Sequence, residues 1–567
     1  MKKVHNTLLL LLITAQCFAQ GSVNADSVNR IIKIGANLRI FVTAKDSFKT
    51  VVGVPAEIRQ GTTLFRADSI YISDKVNAKY MEAFGRVYIN ESDSVITTAK
   101  YLKYYTDKKL AVLKNDVYIK SSGGTFTSNE VEYDLTTKMA VYKNNAKIVS
   151  KTSVLTSKAG TYYSNSKDAL FTNNVVLNGP AYNVKTDTLY YNTSTEIAQF
   201  VTYTKIVNTK TKQVIETTRG FYDMKKGIAQ FDERSIIKDS NSTIIADKII
   251  SNDKDKLYKL TGKASIEKIE NGKKDIYRGN IIDIDNKNET YHIEGNGLYS
   301  SEKENFVITG NYLDGDGKSG KFLARGKPVA IIKQENDSIY IAADTLYSGR
   351  IVGKYKTRTD SITKKTYIDT LKNSSNTGDS TKRYFEAFHH VRIYSDSVQA
   401  VADSLYYTEV DSTFRLYQNP IVWNNKNQIT GDTIYLYTKN KKASKVEVFE
   451  KGFVINLVDP KFYNQIKATK ITGYLNDGNI DSLYARGTAE IIFYIIDEDN
   501  AFVGVDKSIA DVIIAYFENK EIYKLKWLNK YDATTTPMKE VNHETMRLRY
   551  FNLQFNKRPK SKFELFF

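Results

Sequence analysis

A short pattern of small, polar and apolar positions recurs thirteen times along this chain, between Ala67 and Ile471. A small residue comes first, a polar residue follows, and a large apolar residue stands third after the small one in every repeat except at Gly160. Recurrence at a nearly fixed period indicates a repeat architecture, in which each unit contacts its neighbours. We call the small residues anchors; they lie 28 to 37 residues apart, with one gap of 59, and are Ala67, Ala99, Ser128, Ser157, Thr186, Thr218, Ala246, Gly279, Gly310, Ala343, Ala402, Gly431 and Ala468.

Each repeat predicts a pair of antiparallel strands. In the first full repeat, residues 63–72 alternate between apolar and polar, residues 73–77 form a polar turn, and residues 78–89 return with a further turn at 85–86. Val, Ile, Thr and Tyr dominate the strands, whereas Asn and Gly, which tolerate positive φ, stand at the bends. The sequence therefore predicts an almost entirely β protein.

The apolar positions on the two sides of each anchor have opposite parity. Phe65 and Phe126 stand two residues before their anchors, whereas Ile70 and Val131 stand three residues after them. In a flat strand these side chains would lie on opposite faces. Either a bulge occurs at the anchor, or the strand bends there from one sheet into a facing sheet. The small anchors favour the bend, and the fold class predicted is all-β: an elongated, repetitive β-jelly roll in one segment or two consecutive segments, with a closed β-helix as the alternative.

Composition divides the chain further. Residues 357–383 are polar and poor in large apolar side chains, which predicts a flexible insertion between a first repeat segment, 28–356, and a second, 384–535. A degenerate repeat around Tyr367 is the alternative reading of that insertion. After the last repeat, residues 536–567 form a basic C-terminal tail.

The N-terminus has the pattern of a secretory signal peptide. Lys2 and Lys3 precede an apolar run, and small residues up to Ala19 provide a cleavage site, so residues 1–19 are predicted to be removed. The apolar run is shorter than the roughly 20 residues that a transmembrane helix needs. Cys17 raises lipidation as an alternative, but Gln16 before it fits such processing poorly. Because Cys17 is the only cysteine, the exported chain can form no internal disulfide.

The charge indicates an anionic partner. The formal net charge is +18, which suits a phosphorylated lipid, a membrane surface or nucleic acid. Export argues against nucleic acid, and the even spread of lysines through polar turns means that much of the charge is solvated surface.

No motif in the sequence predicts catalysis or a cofactor. Segment 315–320 matches a glycine-rich phosphate loop only formally, and a hairpin turn explains it better. Asp283, Asp285 and Glu289 have calcium-like spacing, but Lys287 occupies a ligand position, which favours a turn. Four histidines follow the signal peptide without a second ligand at metal spacing, and structural roles are the better interpretation; they are His292, His389, His390 and His543.

Units such as ADSIYIS, TDTLYYN, ADTLYSG and ITGDTIYLYT, with returns of the NNVVLNG type, resemble the organic-solvent-tolerance protein A (OstA) family. The resemblance covers about residues 30–530. Stretches such as DSTFRLYQNPIVWNNKNQITGDTIYLY and RPKSKFELF look like a long variety of the family found in Bacteroidetes. It implies a periplasmic β-jelly roll whose inner face carries the acyl chains of lipid A toward the outer membrane. This chain is several times longer than the short transporters and lacks residues for a barrel after its repeats.

The resemblance also implies the partners and the site. Expected partners are lipopolysaccharide, other lipopolysaccharide-transport proteins, including an outer-membrane barrel, joined through strand edges, and further copies of this chain joined end to end. No nucleic acid, cofactor or metal is expected, and the location is the periplasm, either free or attached to the outer membrane. The candidates for the lipid groove are the apolar residues after the anchors, with ordinary core packing as the alternative: Ile70, Leu102, Val131, Leu189, Ile249, Leu346, Leu405 and Ile434.

Other classes of protein remain as alternatives to a lipid-transport scaffold without enzymatic activity. These are an exported structural or adhesive β-solenoid, a component associated with an outer-membrane barrel, and a carbohydrate-active β-helix enzyme.

Overall fold

The computed structural model is built from β-strands, with three short 3-10 helices near the C-terminus as the only helices in the described part of the chain. It describes residues 32–566 apart from 35–36, 43–46, 61–62, 76–77, 92–94, 123, 151, 334–337, 352–354, 360–365, 371–381, 440–441, 477–478, 498, 500 and 520. Only the backbone is described at 32–54, 60, 74, 78, 91, 355–359, 366–370 and 521. The chain divides into unit 1, residues 1–266, and unit 2, residues 267–567.

Unit 1 is a succession of antiparallel strands, and its boundary with unit 2 falls inside β23. The strands are β1 (Ile32–Ile34), β2 (Asn37–Val42), β3 (Ser47–Gln60), β4 (Thr63–Lys75), β5 (Ala78–Glu91), β6 (Val95–Tyr105), β7 (Leu110–Ser121), β8 (Gly124–Asp134), β9 (Met139–Tyr142), β10 (Ala146–Val149), β11 (Val154–Ser157), β12 (Ala159–Tyr163), β13 (Asp168–Asn178), β14 (Tyr182–Asn192), β15 (Ile197–Phe200), β16 (Thr204–Asn208), β17 (Val214–Thr217), β18 (Gly220–Asp223), β19 (Ile228–Phe231), β20 (Ser235–Lys238), β21 (Ser242–Ala246), β22 (Lys248–Asn252) and β23 (Leu257–Glu270).

Unit 2 continues in the same style and ends in the three helices Met538–Glu540, Phe555–Lys557 and Lys562–Phe566. Its strands are β24 (Lys273–Asp285), β25 (Thr290–Ser301), β26 (Phe306–Asp316), β27 (Lys321–Arg325), β28 (Val329–Ile332), β29 (Ile339–Ala342), β30 (Thr345–Arg350), β31 (Tyr355–Thr359), β32 (Thr366–Thr370), β33 (Arg383–Tyr394), β34 (Gln399–Thr408), β35 (Thr413–Tyr417), β36 (Ile421–Asn424), β37 (Asn427–Thr430), β38 (Thr433–Lys439), β39 (Lys442–Asp459), β40 (Phe462–Asn476), β41 (Asn479–Ile496), β42 (Phe502–Glu518), β43 (Glu521–Leu528) and β44 (Asp532–Pro537).

Each unit contains two hydrogen-bonded ladders side by side. In unit 1, the first ladder includes β10, β11, β16, β17, β20 and β21. The second ladder includes β9, β12, β15, β18, β19 and β22. Longer strands such as β8, β13 and β14 belong to both, because their two halves pair with different short strands. The two ladders are therefore joined by strands that pass from one to the other.

The crossing point, which we call the crease, has a regular backbone geometry. The register between β6 and β7 shifts between Thr98 and Tyr101, opposite the bend Asn115-Asp116, whose φ angles are 61° and 56°. The register between β13 and β14 shifts opposite Asn173-Asn174, with φ of 63° and 57°. These left-handed pairs are bulges within strands and not turns between strands. Gly85, inside β5, likewise forms a bulge.

Side chains on both sides of the crease point into one core. Phe126 before the crease and Val131 after it are both buried in the same apolar cluster of unit 1 despite their opposite parity. A strand that keeps one face turned inward across this register shift must bend from one ladder into a facing ladder. The prediction of an all-β, repetitive β-jelly roll is confirmed. Both explanations for the opposite parity apply, because the bend and the bulge occur at the same place.

Unit 2 repeats this design. Its first ladder runs through β28, β29, β36, β37 and β44, and its second through β27, β30, β35, β38 and β43. The predicted signal peptide, 1–19, lies outside the described residues. Most of the predicted insertion, 357–383, also lies outside them, and β31 and β32 form a separate hairpin there.

The C-terminal tail packs along the outer face of the first ladder of unit 2. The side-chain amide of Gln465 donates to the carbonyl of Met546 and accepts from the N–H of Leu548, both at 2.9 Å. Gln428 makes the same pair of bonds to the tail at Asn552 and Gln554, both at 2.7 Å. These buried glutamines satisfy backbone groups of a segment that has no strand partner.

Apolar side chains complete the attachment of the tail. Leu548 is buried with Phe453, Ile455 and Ile492 of the ladder. Farther along the tail, Leu565 is buried against Tyr340 and other residues of the same ladder. The tail therefore covers an apolar outer face that would otherwise be exposed to water.

Replacing both Gln428 and Gln465 with alanine is expected to release the tail. Each substitution leaves a tail carbonyl and a tail N–H without a partner, at a cost of about 1–3 kcal/mol per site. Cleavage within residues 540–560 by limited proteolysis should accelerate, and the urea midpoint of unit 2 should fall. Gln199→Ala, at an exposed position of β15, is the control and should change neither measurement. Unchanged proteolysis of the double variant would contradict the role of the glutamines.

Candidate functional site

Five of the predicted groove residues, Ile70, Leu102, Val131, Leu189 and Ile249, lie in a single row across the second ladder of unit 1. Each is joined to the next through a register partner on the intervening strands, so that the side chains follow one another at the spacing of neighbouring strands. The complete row, which we call the apolar row, is Ile70, Ala83, Leu102, Leu113, Val131, Tyr142, Gly160, Phe171, Leu189, Phe200, Gly220, Phe231, Ile249 and Leu260.

The other three predicted residues, Leu346, Leu405 and Ile434, lie in the corresponding row of unit 2. That row is Ile282, Ile293, Leu313, Ala324, Leu346, Ala387, Leu405, Leu416, Ile434, Val448, Ile471, Ala485 and Ile513. All eight predicted residues of the two units are between 0% and 7% exposed. A ligand could reach them only where the two ladders of a unit separate.

About half of the residues in each row belong to the returning strands, and the sequence analysis did not predict these residues. Most of these residues share a signal: they stand two positions before a residue with positive φ. Leu113 precedes Asn115, Phe171 precedes Asn173, and Val448 precedes Glu450 in this way. The bends were visible in the sequence, but their register against the anchors was not, because pairing between strands is set by the fold.

Two glycines interrupt the apolar row where aromatic rings need space. A Cβ at Gly160 would overlap the ring of Tyr142, its neighbour in the row, and a Cβ at Gly220 would approach Phe231. Gly220 stands third after Thr217, which is buried and pairs with Thr204. The anchor of this repeat is therefore Thr217, and the sequence assignment of Thr218 was wrong by one residue.

The anchors themselves form a row of small side chains along the inside of the crease. In unit 1, six buried members of this row carry hydroxyl groups: Ser128, Ser157, Thr186, Thr204, Thr217 and Ser235. Thr204 donates to the Oγ1 atom of Thr186 at 2.8 Å, and Ser235 donates to the Oγ1 atom of Thr217 at 2.9 Å. Thr186 and Thr217, which accept these bonds, donate in turn to the carbonyls of Thr188 and Arg219, two residues farther on.

On the outside of the crease, the polar residue after an anchor contacts a residue near the bend that lies opposite it. Asp68 Oδ1 lies 2.8 Å from Arg86 Nε, and Asp247 Oδ1 lies 2.8 Å from an Arg234 nitrogen. The hydrogen bonds from Arg86 lower the pKa of Asp68. The polar position of the repeat therefore holds the crease in place on its solvent side.

The same arrangement explains the two adjacent histidines. His389 and His390 form a left-handed bend in β33, and their Nδ1 atoms lie 3.2 Å from Asp403 and 2.9 Å from Asp344, the polar residues after two anchors. Segment 315–320 is the turn between β26 and β27, in which Asp316 accepts from two backbone N–H groups, as expected for a hairpin. Within the described residues, no group of three or more His, Cys, Asp or Glu side chains could hold a metal ion.

Aromatic contacts show that the two ladders face each other. In unit 1, the rings of Phe126 in the first ladder and Tyr142 in the second lie 5.6 Å apart. In unit 2, the rings of Tyr277 and Tyr291, again from opposite ladders, lie 5.4 Å apart in an edge-to-face arrangement. The interior between the ladders is thus filled by the protein's own side chains.

A row of alternating Tyr and Ala lies beside the apolar row of unit 1, farther from the crease. Each tyrosine has alanine neighbours in the row, which leaves room for its ring; the row is Tyr104, Ala111, Tyr133, Ala140, Tyr162, Ala169, Tyr191, Ala198, Tyr222 and Ala229. Burial raises the pKa of Tyr191 and Tyr222. Burial raises the pKa of Tyr182, which belongs to the opposite ladder, and the carboxylate of Asp253 further raises the pKa of both Tyr182 and Tyr222.

The two facing ladders, with an apolar row that continues from repeat to repeat, define a repetitive β-jelly roll with an interior suited to apolar ligands. The family described as OstA-like protein matches residues 32–187, so the resemblance drawn from the sequence is confirmed over this segment of unit 1. Proteins of this family are transport and binding proteins of the bacterial envelope. No curated protein matches the chain. In the described part of the chain, no helix is long and apolar enough to span a membrane.

Stability should fall between pH 10 and pH 12 because of the buried tyrosines. Burial raises the pKa of Tyr142 to about 12, above the value of about 10 in an unfolded chain. Its contribution is present below pH 10 and is lost as the pH rises through 12, with a limit of order 2 kcal/mol. In urea titrations at a series of pH values, Tyr142→Phe should show a smaller alkaline loss than the native chain, whereas Tyr203→Phe, at an exposed ring, should not. Identical pH dependence in all three proteins would contradict this origin.

Proposed function

We propose that this protein is a periplasmic scaffold that binds lipopolysaccharide and carries the acyl chains of lipid A between its two ladders toward the outer membrane. The observation that carries the proposal is the continuity of the apolar row in each unit. At about 4.8 Å per strand, the row of unit 1 extends for roughly 60 Å without a charged side chain. Such a row offers a moving acyl chain the same apolar surroundings at every repeat.

The way the ladders are joined supports this use. Covalent continuity links them at the crease, whereas away from the crease they meet through side chains such as Tyr277 and Tyr291, whose rings pack edge to face. If the two ladders separated along the side away from the crease, the apolar row would be exposed while the crease stayed intact. Burial of a large apolar side chain is worth about 1.5–3 kcal/mol, and an acyl chain between the ladders would restore most of that contact.

Strand edges support the expected partners. Among the described strands, β43 and β44 pair only with β42, so each has one edge without a neighbour. Tyr523 in β43 is 60% exposed, and Tyr531, between β43 and β44, is 64% exposed. An edge of this kind can accept a strand from another transport protein, from an outer-membrane barrel or from a second copy of this chain. The net charge of +18 suits the phosphates of lipid A.

One observation favours a second candidate function, an exported structural or adhesive β-solenoid. The interior is closed, and the eight predicted groove residues are packed as in an ordinary core. A protein with a purely structural role would keep this packing throughout, whereas a carrier must open it.

Photo-crosslinking in cells that make lipopolysaccharide separates the two functions. With the probe placed in turn at Leu102, Leu189 and Leu405, a carrier should give adducts with lipopolysaccharide, detected by immunoblotting. The control position is Lys108, in an exposed turn between β6 and β7. Absence of adducts at all three interior positions, with the protein folded and exported, would favour the structural function.

Linking the ladders should block carriage. Cysteines introduced as Tyr277→Cys and Tyr291→Cys, whose native rings lie 5.4 Å apart, can be joined by a short cleavable thiol reagent. Adducts from a probe at Leu346 in unit 2 should fall severalfold after linking and recover after cleavage, because the ladders can no longer separate. Tyr277→Cys alone, treated with the same reagent, is the control. Equal adducts in the linked and cleaved states would show that separation of these ladders is not needed.

A further inference from the structure

A polar cleft interrupts the outer side of the crease in the middle of unit 1. Its volume is about 660 Å³, and its lining includes one left-handed residue from each of three consecutive bends, Asp116, Asn145 and Asn174. The small anchors Ser128 and Ser157 lie at its base. The cleft is therefore on the solvent side of the strands whose inner faces form the apolar row.

At one repeat of this cleft, the ion pair found at the crease elsewhere is missing. Lys158 stands in the polar position after an anchor, where Asp68 and Asp247 pair with arginines in other repeats. In the described part of unit 1, no carboxylate lies within ion-pair distance of the Lys158 or Lys147 ammonium groups. The one acidic side chain of the lining, Asp116, is engaged by Lys100 at 2.5 Å. The cleft thus presents two exposed cations with no compensating charge.

The rest of the lining consists of groups that hydrogen-bond to hydroxyls. Asn129, Asn144 and Asn145 provide side-chain amides, each with two donors and an acceptor oxygen. Thr127 and Thr156 add hydroxyl groups, and the ring of Tyr118 provides an apolar face at one wall. Amides and hydroxyls around an aromatic ring suit a molecule that combines several hydroxyls with an apolar ring face, as a pyranose does.

We propose that this crease cleft binds an acidic or phosphorylated saccharide. The two lysines would receive the anionic group, and the asparagines would bind the sugar hydroxyls. The size of the cleft falls in the range of small-molecule sites, about 300–1,000 Å³. This site goes beyond the proposed function and does not depend on it, because the cleft lies on the outer side of the strands and the acyl-chain path lies between the ladders.

The first test is calorimetric titration of the full chain with N-acetylglucosamine 6-phosphate, with N-acetylglucosamine and inorganic phosphate as comparison probes. The sugar phosphate should bind more tightly than either probe. Lys158→Gln and Lys147→Gln should each weaken it about tenfold, the loss of one charge-assisted hydrogen bond. Lys238→Gln, at an exposed lysine of β20 outside the cleft, should have no effect. All three positions are on the surface, so thermal melting should confirm an intact fold.

Vesicles distinguish a soluble saccharide from a lipid headgroup. Binding to phosphatidylcholine vesicles that contain lipid A, compared with vesicles without it, should be weakened by Lys158→Gln if the ligand is the headgroup of a glycolipid. If only the sugar phosphate responds to the substitution, the ligand is a soluble saccharide. Equal binding of inorganic phosphate and the sugar phosphate, or full binding by both lysine variants, would overturn the proposal. Interior photo-crosslinks at Leu102 should be unaffected by Lys158→Gln, so the two functions can fail separately.

Discussion

The crease is the constraint on which the rest of this structure depends. At each crossing, a strand changes ladder within about two residues while neighbouring backbones stay close to 4.8 Å apart. The inside of the bend has no room for a large side chain: a Cβ at Gly279 would meet Ile293, and a Cβ at Gly431 would meet Val448. A left-handed pair on the adjacent strand absorbs the register shift, and a polar side chain outside the crease contacts that pair. Each repeat therefore needs a small residue, a polar residue and a tolerant bend at fixed positions.

The crease determines which face of its ladder each of the other side chains occupies. Inward positions on both ladders line up from strand to strand, which produces the apolar row and, beside it, the row of alternating Tyr and Ala in unit 1. At the crease, the buried hydroxyl groups of Thr204 and Ser235 donate to the hydroxyl oxygens of neighbouring members of the anchor row. Away from the crease, the interior is lined mainly by apolar and aromatic side chains, which suits both a stable core and an apolar ligand path.

Unit 2 uses an additional interaction on its outer face. Gln428 and Gln465 each bind the tail through one donor and one acceptor, in the way that a neighbouring strand would. Because these amides supply the hydrogen bonds, the tail can be rich in lysine and arginine and still pack through Leu548 and Leu565. A charged segment without strand periodicity thereby becomes an ordered cover for an apolar surface.

The sequence by itself determined the repeat, the strand and turn positions and the all-β class. It also showed that the five groove candidates of unit 1 occupy the same position in their repeats. All of these depend on local patterns. The shift of one anchor to Thr217, the pairing of Tyr142 with Gly160 and the contribution of the returning strands were decided only by the tertiary structure. So was the docking of the tail, since nothing near Met546 in the chain indicates that Gln465 receives it. Register and face contacts join residues that are distant in the chain, and their partners are chosen by the packing of whole strands. Local chemistry along one strand contains no information on which neighbour it will meet.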